Sequence, residues 1–164
     1  KIDSGVDDDG DGTLDIEEIS ITRYICNGVD GGFDEQIRLT IYESPTFSIS
    51  TTSSTMGTTL GQGLIKFDIT SWVGVDSVLF MPNFNTSNGS VTAFAELYDG
   101  TNDSVIVGTS ISTNNTSFML YESANIYSQL PKEEITLFMQ LRIASSSANA
   151  QTTGQSYLFL YRDN

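Results

Sequence analysis

From residue 36 to residue 162 the chain is a succession of short apolar segments: QIRLTIY, TFSIS, GLIKFDI, SVLFMPNF, SVTAFAELY, SVIVGTSI, SFMLY, EITLFMQLRI and SYLFLYR. Gly, Asn, Ser and Asp clusters separate them, and apolar residues recur at every second position, the repeat of a strand rather than of a helix. About nine strands with almost no helix imply a mainly β protein, an antiparallel β-sandwich of jelly-roll-like type. YDGTND reads as the connection of a hairpin between residues 90–98 and 104–111. Short helical turns are expected near Ile69 to Val73 and Glu122 to Ser128.

Several segments are apolar on both faces, which a half-buried sandwich strand does not require. In SYLFLYR, Tyr157, Phe159 and Tyr161 lie opposite Leu158 and Leu160. In EITLFMQLRI, Phe138 stands with Thr136, Gln140 and Arg142 on the face away from Ile135, Leu137, Met139, Leu141 and Ile143, and is expected to be exposed. Such faces need a cover. Loops could supply it, as could residues 1–35 folded back, a neighbouring subunit, or sugar rings stacked on an aromatic platform that could also include Trp72.

The acidity of the chain is concentrated at its start. Residues 1–35 hold eleven acids against two bases, a net of −9, while residues 36–164 carry a net of −5. Within the first part, DDDGDGTLDIEE fills the positions of an EF-hand-type calcium loop. Asp7, Asp9, Asp11, Asp15 and Glu18 supply carboxylates and Thr13 a backbone carbonyl, with Gly12 at the sharp turn and Leu14 at the apolar position. Alternate residues of a tight loop point at the ion, and five carboxylates so close together repel one another without a cation. Lys1 to Val6, broken by Gly5, make a poor entry helix. IEEISITRYIC is expected to form two or three helical turns on the exit side, although its β-branched residues make it marginal alone. The expectation is a structural clip with affinity of roughly 10⁻⁶ to 10⁻³ M, not a sensor. The Gly- and Asp-rich stretch CNGVDGGFD reads as a hinge, dividing the chain into a calcium-binding loop-helix module at 1–34 and a sandwich at 35–164.

Composition narrows the partners. No basic stripe is present to neutralise phosphates, so nucleic-acid binding is disfavoured. No run approaches the ~20 apolar residues of a membrane span, and no signal-peptide pattern is seen. Asn85, Asn88, Asn102, Asn114 and Asn115 each begin an Asn-x-Ser/Thr pattern, which matters only if the host glycosylates it.

The segment KIDSGVDDDGDGTLDIEEISITRYICNGVDG resembles a repeat of secreted and surface proteins of Bacteroidota-type bacteria. Those repeats have a Lys-Ile start, a calcium loop, an exit helix and a Tyr-x-Cys-Asn-Gly ending. LIKFDITSWVGVDSVLF and AELYDGTNDSVIVGTS resemble, more loosely, jelly-roll modules attached to such proteins. The resemblance implies an extracellular location and calcium as the bound ion. It also implies a second cysteine upstream of the Lys-Ile start, whereas Cys26 is the single cysteine of this sequence. Its fate is open among an intermolecular disulfide, a partner outside the sequence, and a buried thiol. The resemblance further points to O-glycan attachment at Asp76-Ser77-Val78 and Asp103-Ser104-Val105.

The chain has no histidine, so the commonest general base is missing and no nucleophile triad can be assembled. A glycosidase needs only two carboxylates, and Asp68, Glu96, Asp99, Glu122, Glu133 and Glu134 are of the right type. Turn and loop roles account for them more simply, and no enzymatic activity is expected. The expected function is that of a secreted, calcium-stabilised structural or adhesive module, a subunit of an extracellular fibre or surface assembly that associates with copies of itself. The alternative is a carbohydrate-binding module of a polysaccharide-degrading system, with Phe138, Tyr157, Phe159, Tyr161 and Trp72 as stacking groups.

Overall fold

The computed structural model describes residues 22–27, 33–54, 58–59 and 65–162. Among the described residues twelve strands run in the order β1 (Thr22–Asn27), β2 (Phe33–Thr51), β3 (Thr58–Thr59), β4 (Ile65–Phe67), β5 (Val75–Met81), β6 (Asn83–Thr86), β7 (Ala93–Asp99), β8 (Ser104–Val105), β9 (Ile111–Thr113), β10 (Met119–Leu120), β11 (Ile135–Ile143) and β12 (Ala150–Arg162). Two single-turn 3₁₀ helices, Ile69–Ser71 and Tyr127–Gln129, fall where the helical turns are expected. The first is nucleated by Asp68, whose side chain accepts from the Thr70 N–H at 2.8 Å. Among the described residues there is no α-helix, and no helix long and apolar enough to cross a membrane.

The strands form two antiparallel sheets. Sheet A has the order β1-β2-β12-β6-β10, with β5 also paired to β12; sheet B has the order β3-β11-β7-β8, with β4 on β11 and β9 on β7. Their inner faces meet in one core. Ile37, Leu39, Phe80, Phe84, Leu158 and Leu160 from sheet A join Leu97, Ile135, Leu137, Met139, Leu141 and Ile143 from sheet B in a single buried cluster. The arrangement is that of a β-sandwich. Burial of each such side chain contributes about 1.5–3 kcal/mol against exposure.

Two local devices shape sheet A. Opposite Ser156 and Tyr157 on β12 stand Tyr42 and Thr40, so Ile41 is the extra residue of a β-bulge. The bulge reverses the alternation of β2, which brings both Ile41 and Tyr42 to full burial while Gln36, Arg38 and Thr40 keep to the outer face. The second device closes the far edge of β5. The N–H groups of Tyr121, Ser123 and Ile126 donate to the carbonyls of Pro82, Phe80 and Val78 at 2.9, 2.9 and 2.8 Å. Ser123 Oγ and Asn125 Oδ1 accept from the Phe80 and Val78 N–H groups. That edge is thus sealed without a regular strand.

Three expectations change. The exit segment is not helical where it is described, because Thr22–Asn27 is a strand paired with Phe33–Arg38. β-branched and aromatic residues favour that outcome once a partner strand is at hand. The expected hinge therefore links the two strands of a hairpin, and the boundary at residue 34 falls inside β2. Phe138 is not exposed. It does stand on the outer face of sheet B, but it is 6 % exposed, packed on Tyr98 with ring centroids 5.1 Å apart. The absence of a side chain at Gly100 makes room for its ring.

Candidate functional site

The central strand of sheet A, β12, turns Ser156, Leu158 and Leu160 into the core and leaves Gln155, Tyr157, Phe159 and Tyr161 half-buried on the outer face. Alternation puts these aromatics in a file, and the neighbouring strands widen it into a patch. Thr40, Arg38 and Gln36 of β2 stand opposite Tyr157, Phe159 and Tyr161. On the other side β5 sets Met81, Leu79 and Ser77 against the same three. All nine are half-buried.

The rings hold one another. Tyr157 meets Phe159 edge-on at 5.7 Å between centroids, and Phe159 lies nearly parallel to Tyr161 at 6.4 Å and 25°. Arg38 sits 4.9 Å over the Tyr157 ring, a cation–π contact. The Tyr161 hydroxyl accepts from Gln36 Nε2 at 2.8 Å. The Tyr157 hydroxyl donates to the Gln155 carboxamide oxygen, and Gln155 Nε2 donates to Glu43 at 2.9 Å. Burial raises the Tyr161 pKa; the Gln36 bond lowers it and the Glu122 charge raises it. Past Tyr161 the face opens into a cleft of about 480 Å³ lined by Asp76, Ser77, Leu79, Asn125 and Tyr161.

Only three of the five aromatics singled out from the sequence share this face. Phe138 belongs to sheet B, and Trp72 packs against the core. Arg38 and Gln36 were not singled out, although the alternation of QIRLTIY already places them together. Their position beside the aromatics depends on β2 pairing with β12, a contact between the two ends of the sequence.

Five of the six candidate carboxylates have local partners, and Glu122 is exposed. Asp68 caps a 3₁₀ turn, and its hydrogen bonds to Thr70 lower its pKa. Asp99 closes the hairpin turn by accepting from the N–H groups of Thr101 and Asn102 at 2.9 and 3.1 Å. Glu96 pairs with Arg142 and accepts from Ser110 Oγ; Glu134 pairs with Lys66; Glu133 accepts from Asn102. Of the Asn-x-Ser/Thr positions, Asn85 is buried and donates to the Thr116 carbonyl, whereas Asn88 is exposed.

The calcium-loop residues Asp7, Asp9, Asp11, Thr13, Asp15 and Glu18 lie outside the described residues. Among the described residues no group of three or more Asp, Glu, Cys or His side chains could hold a metal ion.

Residues 1–26 match a family model described as a domain of unknown function (DUF7151). No curated protein and no solved structure matches the chain.

Proposed function

We propose that the chain is a calcium-stabilised β-sandwich module of an extracellular fibre or surface assembly, with a structural or adhesive role and no enzymatic activity. The observation that carries the reading is the outer face of sheet A. A half-open patch of Tyr157, Phe159, Tyr161, Leu79 and Met81 on the middle strands of a sheet is a contact surface in want of a partner. Among the carboxylates, by contrast, Asp68, Glu96 and Asp99 are engaged in turns and an ion pair.

The strand order supports a jelly-roll-like form. With β3 and β4, β5 and β6, and β8 and β9 each counted as one interrupted strand, the described strands after β1 number eight. The first, eighth, third and sixth of these then make up one sheet, and the second, seventh, fourth and fifth the other. That is the order produced by two Greek keys wrapped together. β1 is an addition to the edge of the first sheet.

In this reading Asp7, Asp9, Asp11, Thr13, Asp15 and Glu18 hold calcium just ahead of β1. The ion stiffens the joint between the calcium loop and the sandwich, or between one copy and the next. Electron microscopy and sedimentation of purified protein with calcium and with a chelator test it. Calcium-dependent oligomers or filaments are expected, and monodisperse monomers in both conditions would refute the reading.

A further inference from the structure

The cleft at the Tyr161 end of the aromatic file combines a fixed ring with polar walls. We propose that it is a subsite for the pyranose ring of a neutral sugar, an inference that rests on reading the outer face of sheet A as the adhesive surface. A volume of about 480 Å³ lies inside the ~300–1,000 Å³ span of small-molecule sites. A sugar ring presents an apolar C–H face and a rim of hydroxyls, so its receptor needs an aromatic or aliphatic surface beside groups that accept and donate hydrogen bonds.

The cleft supplies both. Tyr161 and Leu79 are the apolar surfaces, Ser77 offers a hydroxyl, and Asp76 an exposed carboxylate. The site is also preorganised. Tyr161 is pinned through its hydroxyl by Gln36 and flanked by Phe159. Asn125 is fixed as a wall, because its Oδ1 accepts from the N–H groups of Val78 and Tyr127 and its Nδ2 donates to the Asp76 carbonyl. Little ordering entropy is then left for the ligand to offset.

Charge selects among sugars. None of the five lining residues is basic, so the cleft offers no cation to hold a uronate or sulfate group. A cation is the other ligand that an aromatic ring and a carboxylate attract, but ammonium recognition uses a cage of several rings. Here one ring borders the cleft.

The test is saturation-transfer NMR on the full chain in calcium, with the methyl glycosides of glucose, galactose, mannose and xylose as probes, and with glucuronate and choline as charged controls. At least one neutral glycoside is expected to bind with a dissociation constant on the order of millimolar. Tyr161→Ala should weaken it tenfold or more, and Tyr161→Phe should retain most of it. Asp76→Asn with Ser77→Ala, both outside the core, should weaken it at least threefold and keeps the test valid if Tyr161→Ala does not fold. Silence from all four glycosides, a signal from choline or glucuronate alone, or binding unmoved by these variants overturns the proposal. Sedimentation of the same samples separates the two readings. Calcium-dependent association without sugar binding overturns this subsite alone, and absence of both overturns the adhesive reading as well.

Discussion

Arg142→Ala is the sharpest probe of why the outer face of sheet B is closed. Glu96 is 6 % exposed, and its Oε1 accepts from Arg142 Nε at 3.0 Å and from Ser110 Oγ at 2.9 Å. The Arg142 guanidinium also lies 3.6 Å from the centroid of the Phe94 ring. Removing Arg142 leaves a buried carboxylate with a single hydroxyl donor. Stranding one member of a fully buried pair costs about 3–5 kcal/mol. The Arg142 side chain is 28 % exposed, so water screens part of the attraction, and the figure falls to roughly 2–3 kcal/mol. Loss of the cation–π contact adds about 0.5–1 kcal/mol.

The expected total is about 3 kcal/mol for Arg142→Ala. Glu96→Gln keeps the shape and the Ser110 bond, and should cost only about 1–1.5 kcal/mol. The double variant, which strands no charge, should be more stable than additivity requires by about 1–2 kcal/mol. Urea unfolding followed by circular dichroism measures all three, and a 1 kcal/mol change moves the melting temperature of a domain this size by roughly 2–6 °C. A cost below about 0.5 kcal/mol for Arg142→Ala, or strict additivity, would refute the account, since only exposed surface pairs behave that way.

Gly100→Ala places a methyl 2.6 Å from Cε1 of Phe138, so the ring must shift and stability should fall by about 1–3 kcal/mol; Phe138→Leu in the same chain should recover part of it, and a neutral Gly100→Ala in denaturant titration would contradict the packing. Alkaline stability follows from two phenols whose pKa values are raised above the ordinary 10.0, Tyr98 by its hydrogen bond to Asp103 and Tyr161 by burial. A raised folded-state pKa means that the contribution is intact below about pH 10 and is lost as pH climbs through the raised values. Ultraviolet titration should show late-ionising tyrosines that advance on denaturation and diminish in Tyr161→Phe, and a single transition at the free-tyrosine position would count against both environments. Chelation of calcium should increase the hydrodynamic radius while leaving the melting of the sandwich nearly in place; cooperative loss of all β structure on chelation, seen by calorimetry, would exclude the joint.

Strand content was legible because local pattern decides it: each of the nine apolar segments overlaps a described strand, QIRLTIY and TFSIS sharing β2. Connectivity was less so, because side chains finish what the backbone leaves open. SVIVGTSI reads as one strand yet forms two, β8 and β9. Between them Thr109 Oγ1 accepts from the Leu97 N–H at 3.0 Å and donates to the Ile106 carbonyl, occupying the place of a strand backbone. SVLFMPNF divides at Pro82, which cannot donate to a ladder. Phe138 was assigned the right face and the wrong exposure. Alternation reports direction only, whereas cover comes from Tyr98 and the room above Gly100, forty and thirty-eight positions away in the sequence.

The same distinction bears on the aromatic file. Phe138 and Phe159 each stand opposite a core-facing run on the outer side of a central strand, and sequence alone treats them alike. Sheet B answers its surplus internally, with Arg142 on Phe94, Glu96 on Arg142 and Tyr98 on Phe138. On sheet A, Arg38 caps Tyr157 and Gln36 tethers Tyr161, yet Leu79 and Tyr161 still border an open cleft. A fold that can close one outer face with its own side chains has no packing reason to leave the other half open. If, as proposed, the open half is a contact surface, Tyr157→Ser or Phe159→Ser will impair association or ligand binding more than it lowers the melting temperature. If these variants instead lost as much stability as is expected of Phe138→Ser, while binding and association were unchanged, the file would be structural and the argument for an adhesive face would fail.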